Sequence, residues 1–182
     1  MYELIVLSLV VRRPTSGYVV AGVINDVIGP YARASNGRIY PLLAKLTEDG
    51  LLTVAEEVTS EGGRTSRSYA ITDAGRARFH ALMVDTSSSP REYRDLFAYK
   101  VTAFGLLAPA ERVALLRHYL GFCRGHLDHL ASEEADFVAN ASSYTDADHV
   151  TWMRRVFGHL AETWAADLAW AERLLAAELA TG

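Results

Sequence analysis

Cysteine is nearly absent: the 182 residues contain one. A lone cysteine excludes an internal disulfide framework, so the fold must rest on a buried apolar core. Long apolar runs are also missing. The stretch near the start, inside Tyr2–Val11, is too short to cross a bilayer. Glu3 before it and Arg12 with Arg13 after it reverse the charge order of a secretory signal, and no small-residue cleavage site follows. A cytoplasmic protein is expected. Positive charge is not in excess either: 18 Lys and Arg stand against 22 Asp and Glu, for a net −4. Nine basic and nine acidic residues fall in 1–85, leaving nine and thirteen beyond. The broadly basic profile of many nucleic-acid binders is thus lacking, and any DNA affinity must come from locally placed Arg and Lys. Catalytic signatures are missing too. There is no nucleophile elbow or paired-carboxylate motif. Residues 60–66 are rich in Gly and Ser but lack the Gly-Lys-Ser/Thr ending of a phosphate loop. No enzyme is expected, and no cofactor is implied.

Half of the residues are hydrophobic, ample for a core. Their spacing carries the information. Ile39, Leu42, Leu43 and Leu46 recur at i, i+3, i+4 and i+7, the stripe of an amphipathic helix. Ser35 before them can cap its free N–H groups, and Gly50 after them can take the left-handed conformation that ends it. Asn36, Arg38, Tyr40, Lys45 and Glu48 fall off the stripe. Asn, Arg and Tyr at an exposed helix start are side chains that reach base edges and phosphates. Pro41 is awkward there, because it has no N–H to give to the Gly37 carbonyl. Two β-prone runs follow, Leu51–Val58 and Arg67–Ile71, joined by a Gly-Gly loop, which reads as a hairpin. Arg64 and Arg67 put positive charge at its tip and exit. A helix followed at once by a hairpin with a basic tip is the arrangement of a winged helix-turn-helix.

Tyr2–Leu9, Ser16–Tyr18, Gly37–Leu51 and Arg67–Arg76 together resemble the PadR family of transcriptional regulators. The specific combination is Tyr40-Pro41-Leu42-Leu43 with Tyr69, Ile71-Thr72 and Gly75-Arg76 downstream. The resemblance covers about the first half of the chain in sequence and extends to the end in layout. It implies a DNA-binding repressor with a helical C-terminal dimerisation domain. It implies that Pro41 is tolerated with a local distortion of the helix. It also implies a planar aromatic effector, since family members bind phenolic acids in one branch and hydrophobic drugs in another.

The remaining elements read as helices. Tyr2–Val11 is an apolar helix for a core or dimer contact. Thr15-Ser16 opens a second helix carrying Val20, Val23, Ile24, Val27 and Ile28, which ends at Gly29-Pro30. Thr72 caps a fourth helix, Asp73–Val84. Residues 85–90 are linker-like, which places a winged helix-turn-helix domain in 1–85 and a helical dimerisation domain in 91–182. Arg91–Leu107 reads as one helix with Tyr93, Leu96, Phe97, Val101 and Phe104 inward. Pro109 opens a long helix with a seam at Val113, Leu116, Leu120, Cys123, Leu127, Leu130 and Phe137. A turn at 140–146 leads to a last helix with nearly the same spacing. Two seamed helices make an antiparallel pair. Leu115, Phe122, Val156, Trp170 and Leu174 are left over and ask for a second subunit. The expected fold is therefore mainly α with a small β-hairpin.

The candidate DNA contacts are Tyr18, Ser35, Asn36, Arg38, Tyr40 and Lys45 on the helices and Gly63, Arg64, Thr65 and Arg67 on the wing. Tyr18 reads equally as a half-buried aromatic. Trp152 and Trp170 are candidates for an effector pocket, against a plain structural role. Cys123, His126 and His129 invite a metal site, against a packed cysteine and two solvated histidines, because steps of three drift around a helix. The expected partners are double-stranded operator DNA and a second copy of the chain. The alternative is a protein-interaction module on a winged-helix scaffold without specific DNA binding, motivated by Glu56, Glu57 and Glu61 around the wing.

Overall fold

The computed structural model describes residues 1–29, 36–59, 65–87, 89–141 and 147–181. The chain divides into two compact units, Met1–Phe104 and Gly105–Gly182. The first unit holds α1 (Tyr2–Val10), β1 (Thr15–Ser16), α2 (Gly17–Ile28), α3 (Asn36–Glu48), β2 (Leu52–Thr59), β3 (Thr65–Ile71), α4 (Asp73–Val84) and α5 (Pro90–Val101). The second holds α6 (Pro109–Ala139) and α7 (Ala147–Thr181). The mainly helical architecture with a small antiparallel sheet is the one read from the sequence.

In the first unit α1 is a core helix. Leu4, Ile5, Val6, Leu7 and Val10 are buried, so little of its apolar surface remains exposed for a dimer contact. Buried Val20 and Ile24 of α2, Ile39, Leu43 and Leu46 of α3, and Phe79 and Met83 of α4 complete the same core. Arg78 of α4 grips Glu3 of α1 with both nitrogens of its fork, at 2.8 and 3.1 Å. Ser16 caps α2, its hydroxyl accepting from Val19 N–H at 3.3 Å. Thr15 and Ser16 also form a third strand, opposite Tyr69 and Ser68, which the sequence reading did not contain. The sheet order is β1-β3-β2, all antiparallel, with a bulge in β2 between Val54 and Glu56.

The helix read across Arg91–Leu107 is shorter than expected. It ends at Val101, and a 3₁₀ turn, Phe104–Leu106, follows. The β-branched pair Val101-Thr102 and Gly105 are poor helix formers, and apolar spacing alone does not register them. Helix α5 also packs in the first unit, although it was read as the start of the second. Tyr93 and Phe97 are buried, Tyr99 OH meets Ser8 Oγ at 2.6 Å, and Arg12 donates to the Thr102 carbonyl at 3.1 Å. Ser8 itself donates to Ile5 O, so it accepts from Tyr99. Lys100 is wholly buried, its ammonium donating to the Asp85 carbonyl, and burial holds its pKa below the usual lysine range.

In the second unit α6 starts with Pro109 at its first turn, and Glu111 accepts from Ala108 N–H at 2.9 Å. The helices run antiparallel. Arg112 meets Glu178 at 2.8 Å, Tyr119 donates to Asp167 at 2.9 Å, Arg124 meets Glu172 at 3.1 Å and Arg154 meets Glu134 at 3.4 Å. Leu116, Leu120 and Cys123 of the expected seam are buried, and so is Leu115, which had been left over. No helix among the described residues is long and apolar enough to cross a membrane.

Gly75 opens α4 where the chain leaves no room. A Cβ there would fall inside the contact radius of the Leu51 carbonyl oxygen and 2.7 Å from Ile71 Cγ1. Gly22, in the exposed part of α2, has nothing within 4 Å of the same atom. Gly75→Ala is therefore expected to destabilise the first unit by about 3 kcal/mol, as overpacking against backbone does. Gly22→Ala should stabilise it by about 0.5–1 kcal/mol, because it removes only backbone entropy. Chemical denaturation of both variants checks the pair.

Candidate nucleic-acid interface

The site is built around α3. Its inner stripe is Ile39, Leu43 and Leu46, all buried. At about 100° per residue, the opposite face carries Gly37, Pro41, Ala44 and Glu48, all exposed. Of the described polar side chains off the stripe, Glu48 alone shares that outer face. Arg38, Lys45 and Asp49 form one flank, and Tyr40 lies on the other. The ridge is small at Gly37, Pro41 and Ala44 and ends at Glu48, with larger polar groups to either side. Pro41 sits inside a helix that continues through it. The helix ends as its glycine requires: Gly50 has φ 72°, its N–H reaches Thr47 O at 3.1 Å, and Leu51 N–H reaches Leu46 O at 2.9 Å.

Each flank is pinned by a neighbouring helix. The Arg38 guanidinium lies 5.9 Å from the Tyr2 ring centroid of α1. The Tyr40 ring rests against Gly17 at the start of α2, with its Cε1 3.0 Å from where a Cβ would stand. Tyr18 in the same first turn is 73% exposed. Lys45 pairs with Asp49 one turn on, at 3.0 Å, and that hydrogen bond raises the lysine pKa.

The wing is β2 and β3. Leu52 and Tyr69 anchor its base in the core. Beyond them the described side chains of β2 are exposed on both faces, so the hairpin projects as an arm. Glu57 stands directly opposite Arg67 in the register. The two form a forked pair, Nη2 donating to Oε1 at 3.2 Å with Nε 3.2 Å from Oε2. The bond to Glu57 raises the Arg67 pKa. In the sequence Arg67 is a wing candidate and Glu57 only a nearby acid. The hairpin register, which sets 57 against 67, is the signal that joins them. Ser35, Gly63 and Arg64 lie outside the described residues, as do the side chains of Asn36 and Thr65.

The tryptophans of α7 separate. Trp152 is 61% exposed, with the Arg155 guanidinium 4.5 Å over its ring. Trp170 is half-buried and packs edge-on to Tyr119. They stand 18 positions apart, about 27 Å along the helix, more than one small aromatic molecule bridges. Trp170 belongs instead to a cluster with Tyr119, Phe122, His126 and Trp164. Within it the His126 ring stacks parallel on Trp164 at 4.1 Å. Cys123 is buried and His129 turns to Glu133, so the three sulfur and imidazole groups face different neighbours.

Residues 6–81 match the model of the transcriptional regulator PadR-like family. The chain is similar to the negative transcriptional regulator PadR of Bacillus subtilis (strain 168), 26% identical over 180 residues, covering 94% of this chain and 93% of that one. Among solved structures, it is similar to Bacillus subtilis PadR in complex with operator DNA, at 22% identity and TM-score 0.43, over 97% of this chain and 98% of that one. It is also similar to the Vibrio cholerae virulence activator AphA, at 25% identity and TM-score 0.40, over the whole of both chains.

Burial, and then the charge of His129, lower the His126 pKa. The folded state therefore holds the imidazole neutral. As pH falls below about 6.5 the unfolded chain takes the proton first. Stability contributed by the stack is present above that pH and is lost as pH falls through the folded-state value. Thermal melts from pH 8 to 5 should decline on the acid side in the wild type and less so in His126→Phe, which keeps an aromatic ring and removes the titration.

Proposed function

Because the chain is a transcriptional regulator of the PadR type, with residues 6–81 carrying that family's domain, we propose that it is a repressor. It binds an inverted-repeat operator as a homodimer and leaves it when a small aromatic or hydrophobic effector binds. The observation that carries this reading is the pairing, in one unit, of an exposed helix and an exposed two-stranded arm, each bearing Arg or Lys. A helix lies in the major groove while a hairpin reaches the adjacent backbone. The small residues Gly37, Pro41 and Ala44 on the outer ridge of α3 let its backbone approach the bases, and its flanks supply Arg38, Lys45 and Tyr40. Asn36 begins it, and Ser35 precedes it in the sequence. Tyr18 faces phosphate from α2, Thr65 and Arg67 belong to the arm, and Gly63 and Arg64, outside the described residues, are contacts read from the sequence alone. The name of the Bacillus subtilis relative, a negative regulator, supports repression rather than activation.

The dimer is carried by α6 and α7. Trp152, Val156, Leu160 and Leu179 of α7 are exposed despite the helix pair. A second copy covers them and presents two recognition helices to half-sites about one turn apart. The effector contacts the aromatic cluster at Trp170, with Trp152 as a separate candidate. A protein-interaction module is the competing reading, since Lys45 and Arg67 are already engaged by carboxylates.

Fluorescence anisotropy with DNA from upstream of the protein's own gene, against a scrambled duplex and across a salt series, separates the two. Sequence-dependent binding with a steep salt slope is expected. Arg38→Ala should change the ratio between operator variants. Equal, weak binding to both duplexes would favour the interaction module. Light scattering tests the assembly: a mass of twice the 20.0 kDa chain is expected, and Val156→Asp should lower it to that of one chain.

A further inference from the structure

We propose that Glu57 is a built-in competitor for Arg67 and sets how strongly the wing holds the DNA backbone, whatever the sequence. The inference rests on the reading of the wing as a DNA-contacting arm. The edge of the Arg67 guanidinium that Glu57 occupies, Nε with Nη2, is an edge that grips phosphate through two parallel bonds. Glu57 and a phosphate therefore contend for the same two donors. The hairpin keeps the competitor in place, because residues opposite each other in an antiparallel pair stay within reach. Both side chains are about half exposed, at 55% and 47%, so exchange needs no unfolding and the arginine is open to an incoming phosphate. The bulge between Val54 and Glu56 lies just before this pair and ends at the stretch that carries it.

The same arrangement recurs on α3, where Asp49 holds the Lys45 ammonium at 3.0 Å. Two cations of the candidate surface thus enter with a carboxylate already bound. Each must trade a carboxylate for a phosphate, so contact releases fewer counterions than the number of cations suggests. This agrees with a first unit whose charge is balanced rather than basic. Glu56 is the internal control. It carries the same charge one position away, but its cross-strand partner is Ser68 rather than a cation.

The test uses the full-length protein and a fluorescein-labelled duplex of mixed sequence, since backbone affinity needs no operator. Anisotropy is measured across a salt series for the wild type, Glu57→Gln, Glu56→Gln, Arg67→Gln and the Glu57→Gln/Arg67→Gln double variant. Thermal melts confirm that each is folded. Glu57→Gln should tighten binding by about threefold at low salt, as removing a screened charge near a phosphate does. It should also steepen the salt slope by up to about 0.9. Glu56→Gln should gain less. In the Arg67→Gln background, most of the gain from Glu57→Gln should vanish. Unchanged or weaker binding by Glu57→Gln overturns the proposal, as does an equal gain with and without Arg67. If Arg67→Gln weakens binding but Glu57→Gln does nothing, the wing contacts DNA and only the competition fails. If neither the wild type nor Glu57→Gln binds in a salt-dependent way, the reading of the wing fails and the competition with it.

Discussion

The first unit turns on one carbonyl. Leu51 O accepts from Thr72 N–H and from the Thr72 hydroxyl, both at 3.1 Å, while Gly75 packs against the same oxygen. The Thr72 hydroxyl also reaches Gly50 O at 2.6 Å and accepts from Gly75 N–H at 3.0 Å. The end of α3, the base of both wing strands and the start of α4 therefore meet within a few residues. Leu51 N–H closes α3, and its C=O receives α4. The angle between α3 and the arm is set there rather than by the arm itself, whose outer described side chains are exposed. A hairpin without an apolar face is marginal alone, and this one is held at its root.

That geometry explains why charge balance at the arm matters. An exposed arm has no desolvation to strengthen its ion pairs, and surface pairs contribute little stability. Arg67 with Glu57 is therefore a poor candidate for a stabilising feature of the fold. Its cost to folding is small too, so the pair is free to serve the surface. By contrast, Arg112 and Glu178 in the second unit are largely shielded, and their nitrogen and oxygen meet at 2.8 Å. Removing one partner there would strand a charge out of water, which is expensive. The two pairs look alike on paper and differ in burial.

Much of this was legible in the sequence because it depends on local chemistry. Ser16, Gly50, Thr72 and Pro109 mark helix ends through their own backbone preferences, and the structure places them there. The family resemblance read from Tyr40-Pro41-Leu42-Leu43 and the Tyr69–Arg76 stretch agrees with the match over residues 6–81. What was missed depends on partners distant in the chain. The strand at Thr15–Ser16 exists only because β3 offers it an edge. Helix α5 joined the first unit through Tyr99, Arg12 and a buried Lys100, none of which an apolar stripe registers. Arg38, Lys45 and Tyr40 were correctly placed off the core stripe of α3. Their division between two flanks follows from where α1 and α2 lie. Ser35, Gly63 and Arg64 lie outside the described residues, so those three contacts stand on the sequence alone.

The pairing of α6 with α7 shows how polar residues specify what a seam cannot. Leu, Phe and Trp at steps of three and four pack equally well at several registers, because one apolar residue replaces another with modest loss. Charges do not slide so freely. Near one end Arg112 of α6 faces Glu178 of α7, at the middle of α6 Arg124 faces Glu172, and near the other end the order is inverted, with Glu134 of α6 facing Arg154 of α7. A parallel alignment would set Arg112 beside the Arg154 end and Glu134 beside the Glu172 end. Like charges would then oppose each other at both ends of the pair. The antiparallel arrangement is thus selected by repulsion in its alternative as much as by attraction in itself. With that face committed, the apolar residues still exposed on α7, from Trp152 through Leu160, are surplus to the chain's own pairing. A helix that has satisfied its partner and remains apolar elsewhere is the physical ground for expecting a second copy.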